Sequence, residues 1–160
     1  MCVDSQSVKL VPRTSEHRGT DGGKHVNGRK YLIINGVKDR IFACYVHAAN
    51  GHDGTAATRG LLPQRPAWGV RRVTVLNDNG CRGSFAAHLQ ALGLRHELAS
   101  WPPRVRGFVP VAKRWVVERT FAWLAYFRRL AVDYEFTPIR YQAWTLITNS
   151  TTCLNRICLN

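Results

Sequence analysis

Residues 113–130 read KRWVVERTFAWLAYFRRL, and this run decides how the rest of the chain is organised. At 3.6 residues per turn each position is rotated about 100° from the last, so every side chain can be placed around a helix axis. Val116, Val117, Thr120, Trp123, Leu124, Phe127 and Leu130 fall on one broad arc, the face that a globular protein buries. Opposite lies a narrow stripe of Arg114, Glu118, Ala122, Ala125 and Arg129. One reading of that stripe is a solvated face with an i,i+4 ion pair between Arg114 and Glu118. The other holds Glu118 on a rigid element as a metal ligand, with the arginines beside phosphates. The choice turns on whether other acids arrive from elsewhere in the chain.

Composition narrows the partners. The 160 residues are enough for one domain with a real core, and a hydrophobic share of 45% agrees with a folded chain. Lys and Arg number 23 against 10 Asp and Glu, a formal net charge of +13. An excess of that size costs self-repulsion and is most simply explained by a polyanionic partner, nucleic acid first. No apolar run approaches the roughly 20 residues that span a bilayer, so a cytoplasmic, nucleoid-associated protein is expected. Five scattered cysteines with no Cys-x-x-Cys pair read as reduced thiols.

Taken in order, residues 2–8 alternate weakly and predict a short strand carrying Asp4. Residues 9–29 are polar, basic and rich in glycine, and read as a long loop whose Lys24 and Arg29, with the following Lys30, are candidates to grip phosphates. Residues 31–34 and 41–46 are apolar runs separated by Asn35-Gly36-Val37-Lys38-Asp39, a hairpin signal. His47, His52 and Asp53 follow in a loop whose spacing fits no standard metal site, ahead of a short helix near 54–62. Residues 72–78 predict a strand with Asp78 at its carboxyl end, where sheets with crossover helices bind ligands. Asp78 followed by Asn79-Gly80 is equally ordinary turn chemistry. Residues 84–92 read as a helix, 94–98 as a strand, and Thr137-Pro138 as the start of a last helix to about Ile157, with Ala143, Ile147, Leu154 and Ile157 as core contacts. The sum is an α/β domain with both hairpin and crossover connections.

Asp4, Asp78 and Glu118 thus occupy comparable positions. If their elements pack together, the three carboxylates form a hard oxygen site suited to Mg²⁺ or Mn²⁺, and a pair of such ions drives in-line displacement at a phosphodiester.

The blocks DSQSV (4–8), GGKHVNGRK (22–30), VHAAN (46–50), DNGCRG (78–83) and RWVVERTFAWL (114–124) together resemble the successive blocks of bacterial insertion-element transposases of the DDE class, in the IS-five-like group of the IS-four superfamily. They occur in the expected order over nearly the whole chain. The resemblance implies an RNase H-like α/β domain, a mixed sheet flanked by helices, whose three acids bind two divalent ions to cut and join element ends. By motif these acids are Asp4, Asp78 and Glu118, with Arg114 as the signature arginine. Lys24, Arg29, Lys30, Lys113, Arg114, Arg128 and Arg129 are expected to contact double-stranded DNA, both terminal repeats and target, in a chain able to form a homo-oligomer. The sequence departs from the family pattern at Cys81, Val111 and Ala125, where tyrosine, tyrosine and lysine are usual. Family members carry an N-terminal DNA-recognition region, whereas three residues precede Asp4 here; the expectation is a single catalytic domain over 1–160, N-terminally truncated. The alternative from another class is an inactive remnant that binds DNA by charge alone.

Overall fold

The weak alternation of residues 2–8 becomes β1 (Cys2–Lys9), and the sheet is built outward from it. The computed structural model describes residues 1–12, 14–61, 63, 74–77, 83–98 and 115–158. On one side β1 pairs antiparallel with β3 (Val26–Asn35), from Cys2 opposite Asn35 to Lys9 opposite Gly28. On the other it pairs in parallel with β5 (Thr74–Asn77), Cys2 opposite Leu76 and Val3 opposite Asn77. Beyond β5 lies β6 (Arg95–Leu98), again parallel. The far edge of β3 carries β2 (Gly19–Asp21) and β4 (Ile41–Ala48), both antiparallel to it. The result is a mixed α/β fold around one six-stranded mixed sheet.

Side-chain alternation sends successive strand residues to opposite faces. Cys2, Val8, Tyr31, Ile33, Cys44, Val46 and Leu76 form one core with α3 (Trp115–Ala125), α4 (Arg128–Ala131) and α5 (Pro138–Cys158). Val3, Leu32, Ile34, Ala43 and Val75 form the other, covered by α1 (Asp53–Ala56), the π-helical turn Ala57–Leu61 and α2 (Ser84–Ala91). Two covered faces explain why β3 and β4 are apolar without a period, as expected of inner strands.

Three expectations change. The segment 9–29 does not remain a loop: β2 forms inside it, and β3 begins at Val26. Poor strand formers are drawn into the sheet there because partners flank them on both sides. Gly28 faces Lys9 on one edge and Gly19 on the other, and a Cβ at Gly28 would lie 2.0 Å from the Val8 carbonyl oxygen. The helix of 113–130 ends at Ala125, and Phe127 in an extended conformation precedes the separate α4. In α5 the buried face is Tyr141, Thr145, Thr148 and Asn149, while Ile147, Leu154 and Ile157 are exposed. Hydrogen bonds set that phase: Tyr141 Oη donates to the Leu130 carbonyl at 2.7 Å, and Asn149 Nδ2 to the Asp39 carbonyl at 2.7 Å. The helix does begin at Pro138, although the Thr137 hydroxyl makes no hydrogen bond as a cap.

Arg29 is fully buried on β3. Its Nη1 donates to Asp133 Oδ2 at 2.9 Å and to the Glu135 carbonyl at 3.1 Å. Nε and Nη2 donate to the Glu16 carbonyl at 3.0 and 2.7 Å, and Nη2 also to the Phe136 carbonyl at 2.6 Å. All five donors of the guanidinium are therefore spent. The expected DNA-contacting Arg29 is corrected to a tie between β3, the segment before β2 and the α4–α5 connection, with no exposed surface and no donor left for phosphate. Arg29→Ala removes the cation beside buried Asp133 and the side-chain donors to the Glu16, Glu135 and Phe136 carbonyls, and should lower the unfolding free energy by about 3–5 kcal/mol in urea titration. Arg29→Lys should fail to restore it, because an ammonium lacks the planar fork.

Candidate functional site

Asp4 is the third residue of β1, opposite Ile33, and is half-buried. Alternation puts it on the same face as Cys2 and Val8, the face that α3 covers. The Ser5 backbone N–H donates to Asp4 Oδ1 at 2.8 Å, which orients the carboxylate and satisfies one of its lone pairs. Glu118 stands in the first turn of α3, exposed, directly after Val116 and Val117, which are buried against that same sheet face. Ala122 and Ala125 are exposed with it, as the stripe predicted. The fold thus brings α3 across the strand that carries Asp4. Asp78 lies outside the described residues; Asn77, which is bonded to it, pairs with Val3, which is bonded to Asp4. Asn77 is buried and accepts a hydrogen bond on Oδ1 from His96 Nε2 of β6, so the carboxyl end of β5 is fixed by side chains as well as by the ladder.

What holds α3 in place is a cluster that sequence reasoning missed. Asp39, in the β3–β4 hairpin, is 2% exposed and has a left-handed φ of 58°. Its carboxylate accepts from Arg119 through both Nε and Nη2, from Arg156 Nη1 at 3.0 Å and from Thr120 Oγ1 at 3.3 Å. Arg119 lies 4.4 Å from the Trp115 ring centroid and 4.9 Å from that of Trp123, while Arg156 lies 3.9 Å from Trp123. Asn35 Nδ2 adds a bond to Thr120 Oγ1 at 2.8 Å. The hairpin thereby clamps α3 beside Glu118 and α5 with it. A signal existed: Arg119 has a tryptophan four residues before it and another four after, the spacing of a stacked ladder along one helix face.

The basic candidates have different fates. Lys24 is exposed in the β2–β3 turn. Lys30 is only 13% exposed, with Nζ 3.0 Å from Asp53 Oδ1 and 3.8 Å from Asp21 Oδ2. Arg128 and Arg129 are exposed, Arg129 reaching Glu135 Oε1 at 3.2 Å. Lys113 and Arg114 lie outside the described residues.

Lys30 belongs to a polar group on the opposite sheet face from Asp4. Ser5 Oγ donates to Asp53 Oδ2 at 2.8 Å and Ser7 Oγ to Asp21 Oδ2. The Ser7 hydroxyl, with the Lys24 amide, the Lys30 charge and the Gly23 amide, pulls the pKa of the Asp21 carboxyl down to about 2 against the opposing push of desolvation. His52 Nδ1 accepts from the Gly54 amide at 3.2 Å and caps α1. Asp53 is thus paired with Ser5 and Lys30, and His52 with the Gly54 amide. His47 is buried there, and burial holds its pKa below the ordinary value.

Carboxylate oxygens such as those of Asp4 and Glu118 suit a hard divalent cation. Among the described residues, the exposed positions that follow Glu118 on its stripe of α3 are Ala122 and Ala125. Comparison of the chain with protein-family models, with curated proteins and with solved structures gave no match.

Two measurements check this account. Glu118→Gln is expected to change the unfolding free energy by no more than about 1 kcal/mol, because the side chain is exposed, while Asp39→Ala should cost about 1–3 kcal/mol by removing the carboxylate that accepts from Arg119, Arg156 and Thr120. A base whose folded pKa is depressed contributes stability above its unfolded pKa and loses it as pH falls through the folded value. His47→Gln should therefore flatten the fall in urea midpoint between neutral pH and about pH 5.5.

Proposed function

We propose that this chain is the catalytic domain of a DDE-class DNA transposase, cutting and joining phosphodiesters at insertion-element ends. The observation that carries the reading is the position of Asp4: on the innermost strand, antiparallel to one neighbour and parallel to the other, with α3 and Glu118 across the same face. A sheet of this order, flanked by helices, supports an RNase H-like architecture. The ordered sequence blocks, ending in RWVVERTFAWL, supply the family expectation.

In this reading Asp4, Asp78 and Glu118 hold Mg²⁺ or Mn²⁺, which supplies charge neutralisation and an activated oxygen nucleophile when bound. The chain's own contribution is placement. The Ser5 amide fixes the Asp4 carboxylate, and the Asp39 clamp fixes the axial rotation of α3 and hence the direction of Glu118. The nucleophile is a water for cleavage or a 3′-hydroxyl for joining; its bond to phosphorus forms as the opposite P–O bond breaks, and the leaving oxygen takes up a proton. Of the cations expected to contact double-stranded DNA, Lys24, Arg128 and Arg129 are exposed among the described residues, and a homo-oligomer that pairs two ends is part of the proposal.

The test is divalent-ion-dependent nicking and strand transfer on DNA bearing the element's terminal repeats. Glu118→Gln should reduce the rate at least about 100-fold, the scale of several kcal/mol of lost transition-state stabilisation, with DNA binding retained. Equal cleavage by wild type and variant would overturn the assignment. Salt-sensitive binding without any cleavage would leave the charge-only remnant.

A further inference from the structure

The surface where α3 gives way to α4 carries rings that the core does not use. Tyr126 is 85% exposed, Tyr134 48%, Phe136 46% and Phe127 36%. A single exposed ring needs no explanation. Four within residues 126–136, interleaved with Arg128 and Arg129, form a pattern. Arg128, Arg129 and Tyr134 line one shared recess of about 380 Å³.

The two acids of this segment are already spent. Asp133 is buried against Arg29, and Glu135 Oε1 accepts from Arg129 Nη1 at 3.2 Å and from Trp144 Nε1 at 3.0 Å. The Arg129 guanidinium lies 4.7 Å from the Trp144 ring centroid, so it is held by a ring and a carboxylate while its side chain stays 59% exposed. Arg128 makes no ion pair among the described residues. The recess is therefore positive and aromatic at once.

A duplex offers phosphates but hides its base faces inside the stack. An unpaired strand offers both: phosphates for guanidinium groups and base faces for rings. We propose that this recess binds an unpaired nucleic-acid strand, with Tyr134 as the stacking platform, Arg128 and Arg129 on the phosphates, and the exposed ring of Tyr126, two residues before Arg128 in the chain, as a further stacking position. Strand binding here needs no metal and none of the three acids, so it stands or falls separately from the cleavage reading.

The experiment is fluorescence anisotropy with labelled oligothymidylate, oligouridylate and a blunt DNA duplex, in EDTA. Tyr134→Ala and Tyr126→Ala should each weaken binding of the unpaired strands about 5- to 150-fold. Tyr134→Phe keeps the ring and should keep the affinity. Arg128→Ala should reduce the slope of log K against log salt by about 0.7, one phosphate contact on a single strand. Duplex affinity should move less than about twofold in the tyrosine variants, because no base face is available to them. The two strand probes distinguish DNA from RNA as the source, and tyrosine-dependent binding of either upholds the site. Equal losses for duplex and strand, or no loss on removing both tyrosine rings, would overturn it, as would saturation of the recess by a protein partner with no affinity for either strand.

Discussion

The fold depends on one buried cation. Arg29 joins residues as far apart as 104 positions through its contact with Asp133, and gives its other donors to carbonyls of Glu16, Glu135 and Phe136. Burial pushes the Asp133 carboxyl above its ordinary range, against the opposing pulls of the Glu135 amide and Arg29. Such a pair is no simple gain in stability, since desolvating two charges offsets much of their attraction. Its effect is specificity. Backbone carbonyls of two irregular segments accept from this one guanidinium, which favours a single register of those segments against β3, and the parallel bridge of Leu10 with Asp133 lies beside the same point.

That register fixes what each face of the sheet does. Cys2, Asp4 and Val8 go to the side of α3, and Val3, Ser5 and Ser7 to the side of α1 and α2. Neighbouring residues of one strand consequently take unrelated roles: Asp4 faces the proposed metal site, while Ser5 and Ser7 bind the aspartates that neutralise Lys30. A slip of one residue would exchange the two sets.

Local signals in the sequence were read well. The hairpin around Asn35-Gly36, the strand at 95–98 and the helices starting at Ser84 and Pro138 all appear where pattern and turn chemistry put them. The exposed stripe with Glu118, Ala122 and Ala125 was also legible, because it depends only on helical period. What escaped was polar burial. Arg29 looked like a phosphate contact and Asp39 lay in a hairpin signal, yet each is buried by partners 80 to 104 residues away, and Asn149, which drew no reading, is buried by a partner 110 residues away. The apolar positions of α5 misled for the same reason: the helix turns its hydroxyls and amide inward to answer buried backbone groups, and leaves isoleucines outside.

The innermost strand also precedes each of its partner strands in the sequence. β1 emerges before any of its partners, pairs next with β3, then waits for β5, and its face is closed only when α3 and α5 have been made. Contacts of such long sequence separation form late and slowly, since loop-closure entropy must be met before they contribute. Asp4 and Glu118 are 114 positions apart, so the strand that carries the first is made well before the helix that carries the second, and topology alone delays their meeting.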